Sequence, residues 1–445
     1  MSRGTRVLAV DLGATSVRVA AVDLDRPVPQ IDIVHRWAHG PVRTGESLRW
    51  NWSRIVTEVK RGIDRGLMAG PVASIGIDGW GVDYGLIDER GDLVAPPYSY
   101  RDGRTSGWAQ TAEKIGSDRL YDLTGIQLVP FNTIFQLAAH ERAELDQASR
   151  LLLLPDLLVR ELGGDEAAEK SNASTTGLLN THRGHWAEDL IDALGLDTTL
   201  FPAVEHAGRN VGAWEGVPLH LVGSHDTASA FMGMPATTDH GTVFVSTGTW
   251  VIVGIELDQP NTSPEAQARN FSNEAGALGG IRFLKNVIGF WLLEQCRPAW
   301  DNASITALLE EAATVRVEVP VFDATDSRFL NPDDMEAEIR SAAGLAPSEP
   351  RAVVIRSALE SIAAGVGSVI AELTSITGNP MKRIGLVGGG ARSSLLRDRL
   401  AARTGLPVVL GSPEATALGN AVVQGIALGN FRDISEAREW IGAAA

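Results

Sequence analysis

The stretch LVGSHDTASA, residues 221–230, sets Ser224, His225 and Asp226 in a row, three side-chain types that elsewhere cooperate in nucleophilic catalysis. Consecutive side chains project in different directions, so these three cannot line up head to tail as a triad, and no G-x-S-x-G elbow is present. Two readings of Asp226 remain. Followed by Thr-Ala-Ser-Ala, it fits a helix N-cap. At the mouth of an interdomain cleft it fits a general base, accepting the proton of a hydroxyl that attacks a phosphoryl group.

Phosphate chemistry has its own candidates. In DLGATSVR, residues 11–18, the glycine lets backbone amides approach a ligand, Thr15 and Ser16 can donate to phosphate oxygens, Arg18 can offset charge, and Asp11 can hold a hydrated cation. The alternative is a plain hairpin turn. STGTW, residues 246–250, offers the same donors at Gly248 and Thr249; two such turns facing each other across a cleft would clamp one polyphosphate. GLVGGGARSS reads as strand, three glycines, helix start: either an anion or nucleotide site or close helix–sheet packing. Its spacing is not a dinucleotide fingerprint, and no Gly-Lys-Ser/Thr phosphate loop occurs. In GWGVDYG, Trp80 and Tyr84 could pack on a sugar face and Asp83 could accept from hydroxyls, or the aromatics are simply core. Arg101, Asp102 and Arg104 in YRDGRT read as a local salt-bridge cluster.

These residues need elements to hold them. VLAVDLGATSVRVAAVDL and TVFVSTGTWVIVGIEL each run β-branched strand, Gly/Thr/Ser turn, second strand, half a chain apart. Both read as β-hairpins, which predicts two related domains, 1–238 and 239–445. Helices are expected over WNWSRIVTEVKRGIDRGL, FNTIFQLAAHERAEL, LKNVIGFWLLEQCRPAW, from Glu349 to about Thr377, and over SSLLRDRLAARTG. SIGIDGWGVDYGLID reads as a strand broken at Gly79 and Gly81, and MKRIGLV as a strand. The alternation predicts an α/β fold with mixed sheets flanked by helices.

Composition narrows the partners. A formal net charge of -16 repels phosphate backbones and anionic lipid, which argues against nucleic-acid and membrane-surface roles. ATP stays admissible, because amides and metal override the global field locally. The lone cysteine, Cys296, rules out an intrachain disulfide and a cysteine zinc site. No signal peptide and no run of about 18 apolar residues is expected, which reads as cytoplasmic.

DLGATSVR, STGTW, VGGGARSS and the Asp of GSHDTASA, in this order and spacing, resemble the FGGY family of carbohydrate kinases, within the actin-like (ribonuclease H-like) superfamily of two-domain ATPases. IGIDGWGVDYGLID, SYRDGRT, GIQLVPFNTIFQL, SNASTTGLLN, NEAGALGGIRFLKNVIGFWLLEQ, RFLNPDDM and EATALGNAVVQGIALG extend the likeness from about residue 7 to 430, closest to the branch acting on L-rhamnulose. The resemblance implies a ligand cleft between the domains and Mg2+-dependent transfer from ATP to the 1-hydroxyl of that ketose, by a monomer or homodimer. It places Asp226 as catalytic base, with Gly81, His225 and Thr227 at the sugar, joined there by Trp80, Asp83, Arg101 and Asn132. Ala14, Thr15, Ser16, Val17 and Arg18 match the first phosphate loop and Thr249, with Gly248, the second. Asn286, Glu294 and one of Gly389 and Gly390 match nucleotide positions, and Asp11 the magnesium position. The chain departs from the family pattern at three places: Gly79 where Thr is usual, Glu294 where Gln is typical, and Arg392-Ser393 in place of Gln-Asn.

Overall fold

A computed structural model describes residues 5–235, 241–330 and 332–443; the boundary expected after residue 238 lies outside the described residues. Strand β1 (Arg6–Gly13) is buried at residues 7–12, because both its faces are covered, so it reads as a continuous apolar run. A two-residue turn joins it to antiparallel β2 (Ser16–Asp23), with Gly13 opposite Ser16 and Asp11 opposite Arg18. β3 (Ile31–Ala38) extends the hairpin. Helix α1 (Trp52–Met68) starts where Asn51 accepts from the Arg54 amide, and it buries Trp52, Ile55, Val59 and Ile63 in the core formed with Leu8, Val10 and Val19. β4 (Ser74–Gly79) runs parallel to β1 and sets Asp78 directly beside Asp11. With β5 (Asn210–Trp214) and β6 (Val217–His220) the first sheet has the order β5-β6-β4-β1-β2-β3.

The expected break after Gly79 is present. The chain leaves the sheet, and Tyr84–Ile87 pairs instead with Arg150–Leu153. Val82, inside the break, has φ 68°, a left-handed value that a β-branched residue resists. Thr133 Oγ1 and Gln136 Nε2 donate to its carbonyl at 2.7 and 3.1 Å and hold it there. FNTIFQLAAHERAEL is not one helix; it forms Thr133–Ala138 and Arg142–Leu145.

Helix α2 (Asp226–Met232) follows the first sheet. The second hairpin is β7 (Thr242–Thr247) and β8 (Trp250–Leu257), with Thr247 opposite Val251. β9 (Ser272–Ala275) and β10 (Ile281–Ile288) come next, and β10 corrects one expectation: LKNVI is strand, not helix. Short apolar runs carry no decisive period, and Gly289 cuts this one off, so α3 is only Trp291–Cys296. The long helix is α4 (Arg351–Thr377). By length and composition α4 could cross a membrane, contrary to the expectation from the sequence, but 67% of its apolar window is buried inside the fold, as in a core helix. β11 (Arg383–Gly388), α5 (Ser394–Thr404) and β12 (Val408–Leu410) complete the order β9-β10-β8-β7-β11-β12.

Contacts define two compact units: Met1–Ala236 with Glu256–Phe283 and Glu414–Ala445, and Thr237–Ile255 with Leu284–Pro413. Helix α6 (Ala415–Ala427) lays Leu418, Ala421 and Val422 against Val7 and Val22, and Phe431 and Ile441 close the same cluster, so the C-terminal stretch belongs to the first unit.

Candidate active site

In the first unit, Asp226 is the first residue of α2, and His225, in extended conformation, holds the cap position. The helix turn closes on the His225 carbonyl, which accepts from Ala228 and Ser229 amides at 2.7 and 3.1 Å. The cap reading of Asp226 is therefore corrected: His225 holds the cap position, Asp226 is already inside the helix, and no side chain accepts from the first-turn amides. The carboxylate is 30% exposed, accepts from Thr227 Oγ1 at 3.2 Å, and has His225 Nε2 at 3.5 Å. The segment before it is fixed by buried Glu169, whose Oε2 accepts from Ser224 N and Oγ at 2.9 and 3.0 Å and from Ser171. Gly79 bridges to His225 as an isolated β-bridge, bringing the glycine-broken strand alongside.

Gly81 is closely packed: a Cβ there would lie 3.0 Å from Thr175 Oγ1 and 3.4 Å from Asn172 Oδ1. Its neighbours differ from expectation. Trp80 and Tyr84 are core residues; Trp80 packs against Trp50 at a tilt, with centroids 4.5 Å apart, and the Tyr84 hydroxyl bonds His140 at 2.7 Å. Asp83 is fully buried and accepts from Trp50, Trp80, Tyr100 and Gln136 at 2.7 to 3.1 Å. Its lone pairs go to protein donors, because a carboxylate taken out of water needs them, so it braces the loop around Gly81. Asn132 is buried and accepts from the Val129 amide at 2.9 Å; Arg101 Nε donates to Tyr100 Oη at 3.2 Å.

At the first turn, Ala14 and Thr15 form the loop, Ser16 and Val17 begin β2, and Arg18 reaches Asp11 and Glu414. Glu414 Oε2 accepts from Arg18 at 2.9 Å, and Glu414 also takes Arg36. Burial raises the Asp11 carboxyl to about 6 against the pull of Arg18, with Asp226 and Glu414 adding to the rise. Burial, with Asp11 beside it, also holds Asp78 well above the ordinary range; Asn420 Nδ2 donates to Asp78 Oδ2 at 2.6 Å. Buried Asp78 Oδ1 has no hydrogen-bond partner, and Asp11 Oδ2 has the Arg18 ion pair but no hydrogen bond. This is a pocket short of positive charge, and a hydrated divalent cation fits it. Among the described residues no group of three acidic or imidazole ligands could cage a metal directly. One or two carboxylates plus substrate phosphates are the usual protein share for magnesium.

In the second unit, the Gly248–Thr249 turn is tied to the start of α3: Gly248 O accepts from Phe290 N at 3.0 Å, and Thr249 O from Gly289 and Trp291 N at 3.1 Å. Thr249 Oγ1 donates to Glu294 at 3.2 and 3.3 Å, so these two expected nucleotide residues touch. Asn286 lies on β10. The triple glycine is a strand end and a 3-10 turn; α5 begins later, capped by Ser393 accepting from Leu396 N. Gly388 has φ 86°, and a Cβ on Gly390 would meet Phe290 at 2.7 Å, whereas one on Gly389 would meet nothing within 4 Å. Gly388 and Gly390 serve packing, and Gly389 is the open position.

Sequence reasoning passed over Asp78, Glu169, Glu274, Arg282, Glu414 and Asn420. Only Asp78 left a signal, a carboxylate at the end of an apolar strand.

Two six-stranded α/β sheets, each with a Gly/Thr-rich hairpin turn, and a carboxylate clear of its helix cap define a phosphoryl-transfer enzyme. The FGGY family models match both parts, the N-terminal domain over residues 6–228 and the C-terminal domain over 243–428. The chain belongs to the FGGY family of carbohydrate kinases. Among curated relatives, the rhamnulokinase of Enterococcus faecalis is 37% identical, covering 98% of this chain and 92% of its own, and that of Pectobacterium carotovorum is 35% identical, covering 98% and 90%. Solved structures share the fold: xylulose kinase from Lactobacillus acidophilus (TM-score 0.79, 17% identity) and Plasmodium falciparum glycerol kinase with ADP (TM-score 0.79, 15% identity) each cover 98% of this chain and 92% of theirs.

Proposed function

We propose that this carbohydrate kinase transfers the γ-phosphoryl group of ATP to the 1-hydroxyl of L-rhamnulose, with Asp226 as base. The observation that carries the chemistry is the Asp226 carboxylate, partly exposed and flanked by His225 and Thr227; the ketose is argued from relatives named rhamnulokinase. Gly81, His225 and Thr227 hold the sugar, and Asp226 orients its hydroxyl and takes the proton as the oxygen attacks. Amides of the Ala14–Thr15 turn and Arg18 face the phosphates; Thr249, Asn286, Glu294 and Gly389 hold the nucleotide. Asp11 holds magnesium through water, and the ion, when bound, offsets charge on the phosphoryl oxygens. Excluding water keeps the group from hydrolysis. We place the protein in the cytoplasm as a monomer or homodimer, with no nucleic-acid or membrane partner.

The test is ADP release over a panel of ketoses. L-rhamnulose is expected to give the highest kcat/KM; preference for L-fuculose, L-ribulose or D-xylulose would replace the substrate, and ligand binding without turnover would make the protein a sensor.

Glu294 gives a second test. Its carboxylate engages Thr249 and sets negative charge at the proposed phosphate side. Glu294→Gln removes that charge and adds an amide donor, and is expected to lower KM for ATP about fivefold. Initial rates at saturating sugar measure this; an unchanged or higher KM would remove Glu294 from the nucleotide site.

A further inference from the structure

Behind His225 lies a buried ion pair that the mechanism above does not use. Arg282, with no exposed surface, donates from Nε to the Ala275 carbonyl at 3.1 Å, sets Nη1 3.1 Å from Glu274 Oε2, and sets Nη2 3.2 Å from His225 Nδ1. Ser272 Oγ donates to the other Glu274 oxygen at 3.2 Å. Burial alone would raise the Glu274 carboxyl, yet it is held below its ordinary value, chiefly by the Arg282 guanidinium beside it, so the pair is ionic. The groups facing the His225 ring are thus Arg282 and Glu274 at Nδ1 and Asp226 at Nε2.

A guanidinium has only donors. Its contact with Nδ1 is favourable only if Nδ1 carries a lone pair, which leaves the proton on Nε2. Glu274 Oε2 also lies 3.3 Å from Nδ1 but makes no hydrogen bond. We propose that Arg282 is a positioning residue that fixes His225 as the Nε2–H tautomer, so that His225 donates to the oxygen of the attacking hydroxyl while Asp226 accepts that hydroxyl's proton. In the opposite tautomer, Nε2 and the Asp226 carboxylate would be two acceptors competing for one hydroxyl proton. With Nε2–H, the hydroxyl has one donor and one acceptor and only one orientation. The role of this tautomer in catalysis rests on the proposed sugar-kinase reading; the tautomer itself does not.

The test is the 15N resonances of histidine-labelled full-length protein without ligands, with His225 assigned by its loss in His225→Gln. Wild type and Glu274→Gln are both expected to show an unprotonated Nδ1 and a protonated Nε2. Arg282→Met/Glu274→Gln, which leaves no unpaired buried charge, is expected to lose this fixed tautomer and to raise KM for the ketose about tenfold, with KM for ATP within about twofold. A protonated Nδ1 in wild type, its loss in Glu274→Gln alone, or an intact tautomer in the double variant each overturns the proposal. If the double variant does not fold, the first two spectra still decide. A fixed tautomer with no activity on any ketose would leave the structural assignment standing and sink the functional reading.

Discussion

Asp226→Asn is expected to lower kcat for ketose phosphorylation by about 10³-fold, within the range for losing a positioned general base. The substitution is isosteric. The amide oxygen of the new side chain can still accept from Thr227 Oγ1, so the start of α2 and the contact with His225 should survive. The carboxylate is 30% exposed and closes no helix amide, so little stability rides on it. What disappears is the acceptor for the hydroxyl proton. KM for sugar and ATP should change less than about threefold while kcat falls, the signature of an interaction made in the transition state. Steady-state rates with isothermal titration of both substrates measure the split. Near-normal turnover in Asp226→Asn would end the assignment of the base; lost sugar binding would make Asp226 a binding residue instead.

The parts of the site that lie close in sequence were legible in it. Both hairpins announced themselves, because a short Gly/Thr/Ser turn between β-branched runs admits few other structures. Asp11 and Arg18 were visible for the same reason: the hairpin register pairs them. The supporting partners were hidden by distance along the chain. Asn420 meets Asp78 across 342 residues and Glu414 meets Arg18 across 396, and nothing local marks either contact. Nothing local marks Arg282 and Glu274 either; only β9 and β10 carry them to His225. Two errors share a cause in local ambiguity. LKNVI has no period that separates strand from helix, and an aspartate before small residues resembles a cap whether it stands at the cap position or one residue inside the helix. For Asp83 and Trp80 the residue types fitted a sugar site, but tertiary hydrogen bonds had already claimed their polar atoms.

Asp11→Asn should separate activity from stability in opposite directions. In the folded protein the carboxyl is raised to about 6, chiefly by burial, against 3.8 ordinarily, even with Arg18 paired to it. The folded state therefore binds this proton more tightly than the unfolded chain does. Its contribution to stability is greatest at low pH and is lost as pH rises from about 4 through 6. At about pH 8 the buried carboxylate costs on the order of 3 kcal/mol. Asparagine fills the same space without that charge, and Glu414 still partners Arg18. The variant is thus expected to melt higher than wild type near that pH, by about 5 °C. The gain should fall to about half by about pH 5 and nearly vanish by about pH 4, where both side chains are neutral. Catalysis should move the other way. Without the carboxylate, kcat/KM for ATP with magnesium is expected to fall by roughly 10² to 10³, the effect of deleting one group that offsets phosphoryl charge. Scanning calorimetry across the pH range and initial rates at varied magnesium measure the two effects. A gain independent of pH would show that the carboxylate is not the source of the instability, and undiminished activity would remove Asp11 from the phosphate site. Both results together with a normal magnesium dependence would return DLGATSVR to a plain hairpin turn.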